Sequence, residues 1–144
     1  MRRVVLDANI YISAILRPEG PPGQILERFL REQAFEIVLS PAIVEETLRA
    51  LDYPKVRKHI RAGVDPTLWF EDIIVLAQMV AGKDELPAVS VDADDDKYLA
   101  VAIEGAATLV ISGDPDLLTL KKYQGVRIVT PRTFLDSLGP VSTT

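Results

Sequence analysis

The chain has 144 residues, no cysteine, one histidine and a net charge of −5, from 16 basic and 21 acidic residues. That length fits one compact domain over residues 1–144, able to bury roughly two-thirds of its unfolded surface without covalent staples. Disulfides, zinc–thiolate centres, iron–sulfur clusters and thiol nucleophiles are excluded, and the acidic balance argues against a simple basic nucleic-acid binder.

Hydrophobic residues make up 48% and charged residues 26%, a globular composition. The strongest apolar stretch, IIVLAQMVAG, is too short to span a bilayer. The start, MRRVVLDANI, reaches Asp7 before any leader-like apolar region develops. These features predict a cytoplasmic protein with no membrane association.

Residues 3–8 read as a buried strand, short and rich in β-branched residues. Residues 9–16 predict a short helix that stops before Pro18. Residues 23–33 form an amphipathic pattern with Ile25, Leu26, Phe29 and Leu30 on one face. Residues 35–39 are a second strand. Ser40-Pro41 then starts a helix, Ser as cap and Pro at the first helical position, running to about Leu51. Further helices are expected from Pro54 to Arg61 and from Pro66 to Val80. Residues 87–91 are a short strand or an extended segment. A helix follows from Asp94 to Gly105, with an apolar stripe at Tyr98, Leu99, Ala102, Ile103 and Ala106. Strands at 108–111 and 126–129 come next, and Pro131 opens a last helix. Strands alternating with helices predict an α/β fold with a parallel sheet covered on both faces. Right-handed crossovers place all strand C-termini on one edge.

Sites in open parallel sheets form beyond that edge, and the acids converge there. Asp7 ends the first strand. Glu45 and Glu46 lie in the early turns of the helix after the second. Asp92, Asp94, Asp95 and Asp96 crowd a helix start, and Asp114 and Asp116 follow the strand at 108–111. Each acid has an ordinary reading. Aspartates cap helices and complement the helix dipole, Asp114 suits a turn, and Glu45 can pair with Arg49 four residues on. Four acids in five residues exceed what capping needs, and a lone carboxylate at a buried strand end is poorly solvated. Carboxylates sharing one cleft raise each other's pKa unless a cation sits among them. With oxygen donors and no thiols, a hard divalent cation suits them. Asp95 extends the inward stripe through Leu99 and Ala102, Asp96 lies a little to one side, and Asp94 is the natural cap.

The segment KVRKHIRAG carries Lys55, Arg57, Lys58, His59 and Arg61. It reads either as a solvated helix face or as a phosphate-backbone contact. Lys121, Lys122, Arg127 and Arg132 could form a second basic patch. Trp69 and Phe70 read as core or interface, and the apolar face of Gln24–Leu30 reads as core or as a homodimer surface.

The segments VVLDANIYISAIL, LSPAIVEETLRAL, VDADDDKYLAVAIEGA, TLVISGDPDLL and VRIVTPRTFL, in that order, resemble PIN-domain proteins, and within them the VapC-like toxins of toxin–antitoxin systems. The resemblance covers nearly the whole chain. It implies a three-layer α/β/α PIN-like fold with a central parallel sheet. It implies an endoribonuclease that acts on single-stranded or structured RNA with one or two Mg²⁺ or Mn²⁺ ions and leaves a 5′-phosphate and a 3′-hydroxyl. It assigns Asp7, Glu46, Asp95 and Asp114 as catalytic acids and metal ligands. Asp96 stands as the alternative to Asp95, Asp116 as a secondary acid, and Asn9 and Ser112 as supports of the first aspartate. Ser112 stands where many relatives carry Thr. A homodimer and a protein antitoxin are the partners implied.

Two other classes on similar sheets fit less well. A phospho-accepting signalling module wants paired acids after the first strand and a Lys before the late proline, where this chain has Asp7 alone and Thr130 before Pro131. A haloacid-dehalogenase-like phosphatase wants Asp-x-Asp, where this chain has Asp7-Ala8-Asn9. A PIN fold that binds RNA or protein without cutting is the remaining alternative.

Overall fold

The computed structural model of the chain describes residues 1–82 and 95–141. Its elements, in chain order, begin with β1 (Arg3–Leu6), α1 (Ala8–Leu16), α2 (Pro21–Glu32), β2 (Glu36–Leu39), α3 (Pro41–Leu51), α4 (Pro54–Arg57), α5 (Pro66–Leu76) and β3 (Gln78–Met79). They continue with α6 (Asp96–Glu104), β4 (Leu109–Ile111), α7 (Pro115–Leu120), β5 (Lys122–Tyr123), β6 (Val126–Val129) and α8 (Pro131–Ser137). Helices α2, α3, α4, α5, α7 and α8 each open on a proline. Proline's fixed φ suits the first helical turn, where no intrahelical partner is needed for its missing N–H.

The six strands form one sheet in the order β3-β2-β1-β4-β6-β5. All neighbours are parallel except β5, which pairs antiparallel with β6. The fold is α/β, with helices flanking a mostly parallel sheet. Val4, Val5 and Leu6 of the central β1 are fully buried, as expected for a strand covered on both faces. Helix α6 packs on β1, β2 and β4, while α1 packs on α2 and α3, and α2 on α8. Aromatic rings tie these layers together: Phe35 meets Phe134 edge-on at 5.0 Å between centroids, and Tyr11 meets Phe70 at 5.1 Å.

Three sequence expectations need correction. The helix expected to run from Pro66 to Val80 stops at Leu76. Ala77 turns extended, and Gln78–Met79 pair with Val38 and Leu39, while the Val80 N–H donates to the Leu39 carbonyl at 2.9 Å. Satisfying the edge of β2 outweighs one more helical turn. The helix expected over Pro54–Arg61 is helical only to Arg57 and then continues in tight turns. None of its residues is buried, so no packed face sustains a longer helix. The sheet is not wholly parallel, because Gln124 (φ 47°) and Gly125 (φ 83°) close a hairpin that adds β5. Helix α7 fills a stretch left unassigned from sequence. The expected strand at 87–91, and Asp92 and Asp94, lie outside the described residues.

Helix α2 resolves the ambiguity of its apolar face. Ile25, Leu26 and Phe29 belong to the core of the protomer. That part of the face is spent within the fold, while Leu30 is only partly buried against it. Phe70 is likewise core, and Trp69 packs half-buried against it.

Candidate active site

The parallel register delivers side chains to one edge. Leu6 stands opposite Ile111, so the next residues, Asp7 and Ser112, emerge side by side beyond β1 and β4. The Asp7 N–H continues the ladder to the Ile111 carbonyl at 3.2 Å, and the Ser112 N–H reaches the Val129 carbonyl at 3.0 Å.

Asp7 is 3% exposed. It caps α1, where Oδ1 accepts the Ile10 N–H at 3.1 Å. Oδ2 accepts the Ser112 hydroxyl in a close hydrogen bond. Burial holds its pKa above the ordinary carboxylate value. The Ser112 hydroxyl and the Ile10 and Asn9 N–H groups partly offset this, and the neighbouring Asp114 charge adds to the rise. Ser112 is itself fully buried, and its Oγ also accepts the Asp114 N–H at 2.9 Å. One hydroxyl thus fixes both aspartates. Asp114 caps α7 by accepting the Asp116 N–H at 2.9 Å.

Glu46 arrives from α3, and α6 engages both of its oxygens. Lys97 Nζ donates to Oε2 at 2.6 Å, and the Tyr98 hydroxyl donates to Oε1 in a close bond. Tyr98 Oη in turn accepts the Ala8 N–H at 3.2 Å. This phenol therefore links the segment that follows Asp7 to the carboxylate on α3. Burial, then Glu46, pushes its pKa well above the usual phenol range, so it stays a proton donor.

A cleft of about 280 Å³ opens among these groups. Asp7, Glu46, Asp95 and Asp114 line it, together with Asn9 and Tyr98. Asp95 sits immediately before α6. Asp96, the first residue of α6, is 8% exposed and does not line the cleft. Asp116 is exposed on α7 and also lies outside it, supplying only its N–H to Asp114. Asn9 is exposed at the rim, and Ser112 lies beneath. Lys55, Arg57, Lys58 and Arg61 are all exposed and none lines the cleft. Arg57 pairs with Asp52 at 2.7 Å, and Arg61 with Glu19 at 3.4 Å.

Sequence reasoning missed Lys97, Tyr98, Arg49 and Tyr53. Tyr98 was placed in the apolar stripe, where its ring does belong, while its hydroxyl turns to the cleft. A lysine directly after a run of aspartates was the available signal for Lys97. Arg49 lines the cleft while paired to Glu45 at 2.6 Å.

Among the described residues, no three acids stand close enough to enclose a metal ion unaided. The donors nevertheless fit a hard divalent cation. They are all oxygens, and the mutual repulsion of Asp7 and Asp114 is what a cation relieves. Mg²⁺ takes one or two carboxylates and keeps several waters, so a partial protein shell suits it.

The site thus holds a strand-end aspartate, a serine bridging it to the acid after the fourth strand, and a glutamate on the helix after the second. Residues 3–116 match the PIN domain, and the chain belongs to that family. It is 30% identical over 142 residues to the uncharacterised protein MJ1680 of Methanocaldococcus jannaschii, covering 93% of this chain and 90% of the relative. The fold is similar to that of PAE2754 from Pyrobaculum aerophilum, with a TM-score of 0.59, 16% identity, and 95% and 89% of the two chains covered. It is also similar to a chain in the structure of VapBC2 from Rickettsia felis bound to a DNA fragment from their promoter. There the TM-score is 0.59 and the identity 12%, over 89% of this chain and 98% of that one.

Proposed function

We propose that this protein is a divalent-cation-dependent endoribonuclease of the VapC-like kind, the toxin of a toxin–antitoxin pair. One observation carries the chemistry: Asp7, Glu46, Asp95 and Asp114 come from four separate segments and line one cleft at the C-terminal edge of the sheet. Membership of the PIN family and the fold likeness to a chain of VapBC2 support the same reading.

In this reading Asp7 and Asp114 hold Mg²⁺ or Mn²⁺, with Glu46 and Asp95 completing the acidic wall. The cation supplies charge stabilisation at a phosphate oxygen and a more acidic water. The chain's own groups prepare that site. Ser112 donates to Asp7 and favours its ionised, ligating form. Capping of α1 and α7 fixes Asp7 and Asp114 against rigid helices. Tyr98 fixes Glu46 relative to Ala8. Asn9 offers an amide at the open rim, where a phosphodiester enters. Lys55, Arg57, Lys58 and Arg61, all exposed, would offer positive charge to the RNA backbone. A protein antitoxin, a homodimeric state and a cytoplasmic location accompany the reading. Among the described residues no helix is long and apolar enough to cross a membrane.

The test is cleavage of single-stranded RNA by the wild type and Asp7→Asn, with Mg²⁺ or Mn²⁺ and with chelator. Cleavage by the wild type alone, abolished by chelator, supports the reading. Equal cleavage by both proteins overturns it. A second reading, an RNA- or protein-binding module that does not cut, is favoured by one feature: Lys97 and Tyr98 already engage both Glu46 oxygens. RNA retention without turnover in any metal would establish that alternative.

A further inference from the structure

The Lys97 side chain is a feature that the acid-and-metal reading does not absorb: it does not line the cleft itself but bonds Glu46, which does. A cation is bonded to one of the cleft carboxylates. Its ammonium lies 2.6 Å from Glu46 Oε2 and 5.2 Å from the centre of the Tyr98 ring. The side chains of Lys97 and Glu46 are 29% and 36% exposed, so the pair is partly shielded from water. Tyr98 closes the third side of the triangle through Glu46 Oε1. Surface ion pairs of ordinary kind are worth little. Here the same carboxylate meets a charge-assisted bond and a phenol donor, and the lysine makes a cation–π contact with the ring of that phenol.

We propose that Lys97 is a resident counter-cation of Glu46, holding that carboxylate in place while no metal is bound and competing with the divalent ion for it. This rests on the metal-dependent reading above and adds a property that the acids alone would not have. Metal affinity is held down by an internal competitor, and the metal-free cleft is kept from splaying by carboxylate repulsion. Tyr98 is a positioning residue in this arrangement. It keeps one oxygen of Glu46 directed while the other changes partner.

The experiment is Mn²⁺ titration by calorimetry on the full chain, comparing wild type, Lys97→Met, Lys97→Arg, Glu46→Gln and the Glu46→Gln/Lys97→Met double variant, each checked for folding by circular dichroism. Loss of a charge-assisted bond that competes with the ion should tighten Mn²⁺ binding about tenfold in Lys97→Met. Lys97→Arg, which keeps the charge, should stay within about threefold of wild type. In the Glu46→Gln background, Lys97→Met should change affinity far less, because the shared carboxylate is gone. Unchanged or weaker binding in Lys97→Met, or the same gain with and without Glu46, overturns the proposal while leaving the metal reading intact. No Mn²⁺ binding by any form removes the metal reading and the proposal together.

Discussion

Ser112 donates its hydroxyl to Asp7 across two neighbouring strands, and the same oxygen receives the Asp114 N–H. The contact follows from register, since Leu6 and Ile111 are partners and each is followed by one of the two residues. Ser112→Ala removes a bond that favours the charged form of Asp7. The Asp7 pKa should then rise further. The acid limb of the cleavage rate against pH should move to higher pH, with the plateau reduced. A pH–rate profile of the two proteins checks this, and an unmoved acid limb would separate Ser112 from the ionisation of Asp7.

Asp7→Asn carries a stability prediction whose sign follows from burial. The folded state holds the Asp7 pKa above its unfolded value. The native state therefore keeps the proton that the unfolded state loses, and Asp7 lowers stability as pH rises from the unfolded pKa through the folded one. Asparagine still caps a helix and carries no charge. In chelator at pH 7 the variant should melt higher, by about 3–5 °C if roughly 1 kcal/mol is relieved. Near pH 3, below both pKa values, the gain should disappear. A lower melting temperature at pH 7 would mean that the lost hydrogen bonding outweighs the relieved desolvation.

Tyr98→Phe tests the link between the first strand and α3. The variant keeps the ring, which belongs to the core, and loses two hydrogen bonds. It leaves the Ala8 N–H without its phenol acceptor, a loss of about 1–3 kcal/mol for a buried donor. It also frees one oxygen of Glu46. Denaturant unfolding should show the stability loss. RNA cleavage should show kcat falling more than KM rises, because Glu46 is misplaced and the substrate rim is untouched.

Legibility of this fold depended on length and edges. Helices α3 and α5 announced themselves through proline at the start, α2 and α6 through an apolar stripe, and β1, β2, β4 and β6 through short β-branched runs. The two strands that sequence missed, Gln78–Met79 and Lys122–Tyr123, have two residues each and lie at opposite edges of the sheet. Two residues hold no periodicity, and their pairing is decided by the neighbour. The Gln124-Gly125 turn lacks the Asn-Gly or Asp-Gly signature of a hairpin. In the site, Asp7 was legible because a carboxylate closing an apolar strand has no ordinary solvation. Tyr98 and Lys97 were not, because an apolar ring in a stripe conceals its hydroxyl and a lysine beside acids looks like a surface ion pair.

Gly23→Ala should destabilise the fold by about 1–3 kcal/mol, although alanine is the better helix former. A Cβ there would lie 2.2 Å from the Pro18 carbonyl oxygen. The obstacle is backbone, so α2 must shift away from the end of α1. Unfolding in urea measures the loss. A more stable variant would show that the α1–α2 turn adjusts freely.

Lys55 and Lys58 separate the two readings of the basic segment. If both contact phosphates of single-stranded RNA, Lys55→Ala/Lys58→Ala should flatten the slope of log affinity against log salt by about 1.4. Binding is measured in chelator, or on an uncleavable RNA analogue, so that turnover does not intervene. An unchanged slope assigns these lysines to a solvated surface.

Asp95 and Asp96 are neighbours in sequence with different surroundings. Asp95 lines the cleft with Asp7, Glu46 and Asp114. Asp96 is buried in the first turn of α6, where a negative charge complements the helix dipole. Asp95→Asn should therefore reduce cleavage on the order of a hundredfold with little change in melting temperature. Asp96→Asn should leave most of the cleavage and weaken the fold by about 0.5–1 kcal/mol from the lost dipole interaction. Paired melting curves and kcat/KM values on the two variants decide the assignment, and an inverted pattern transfers the cleft role to Asp96.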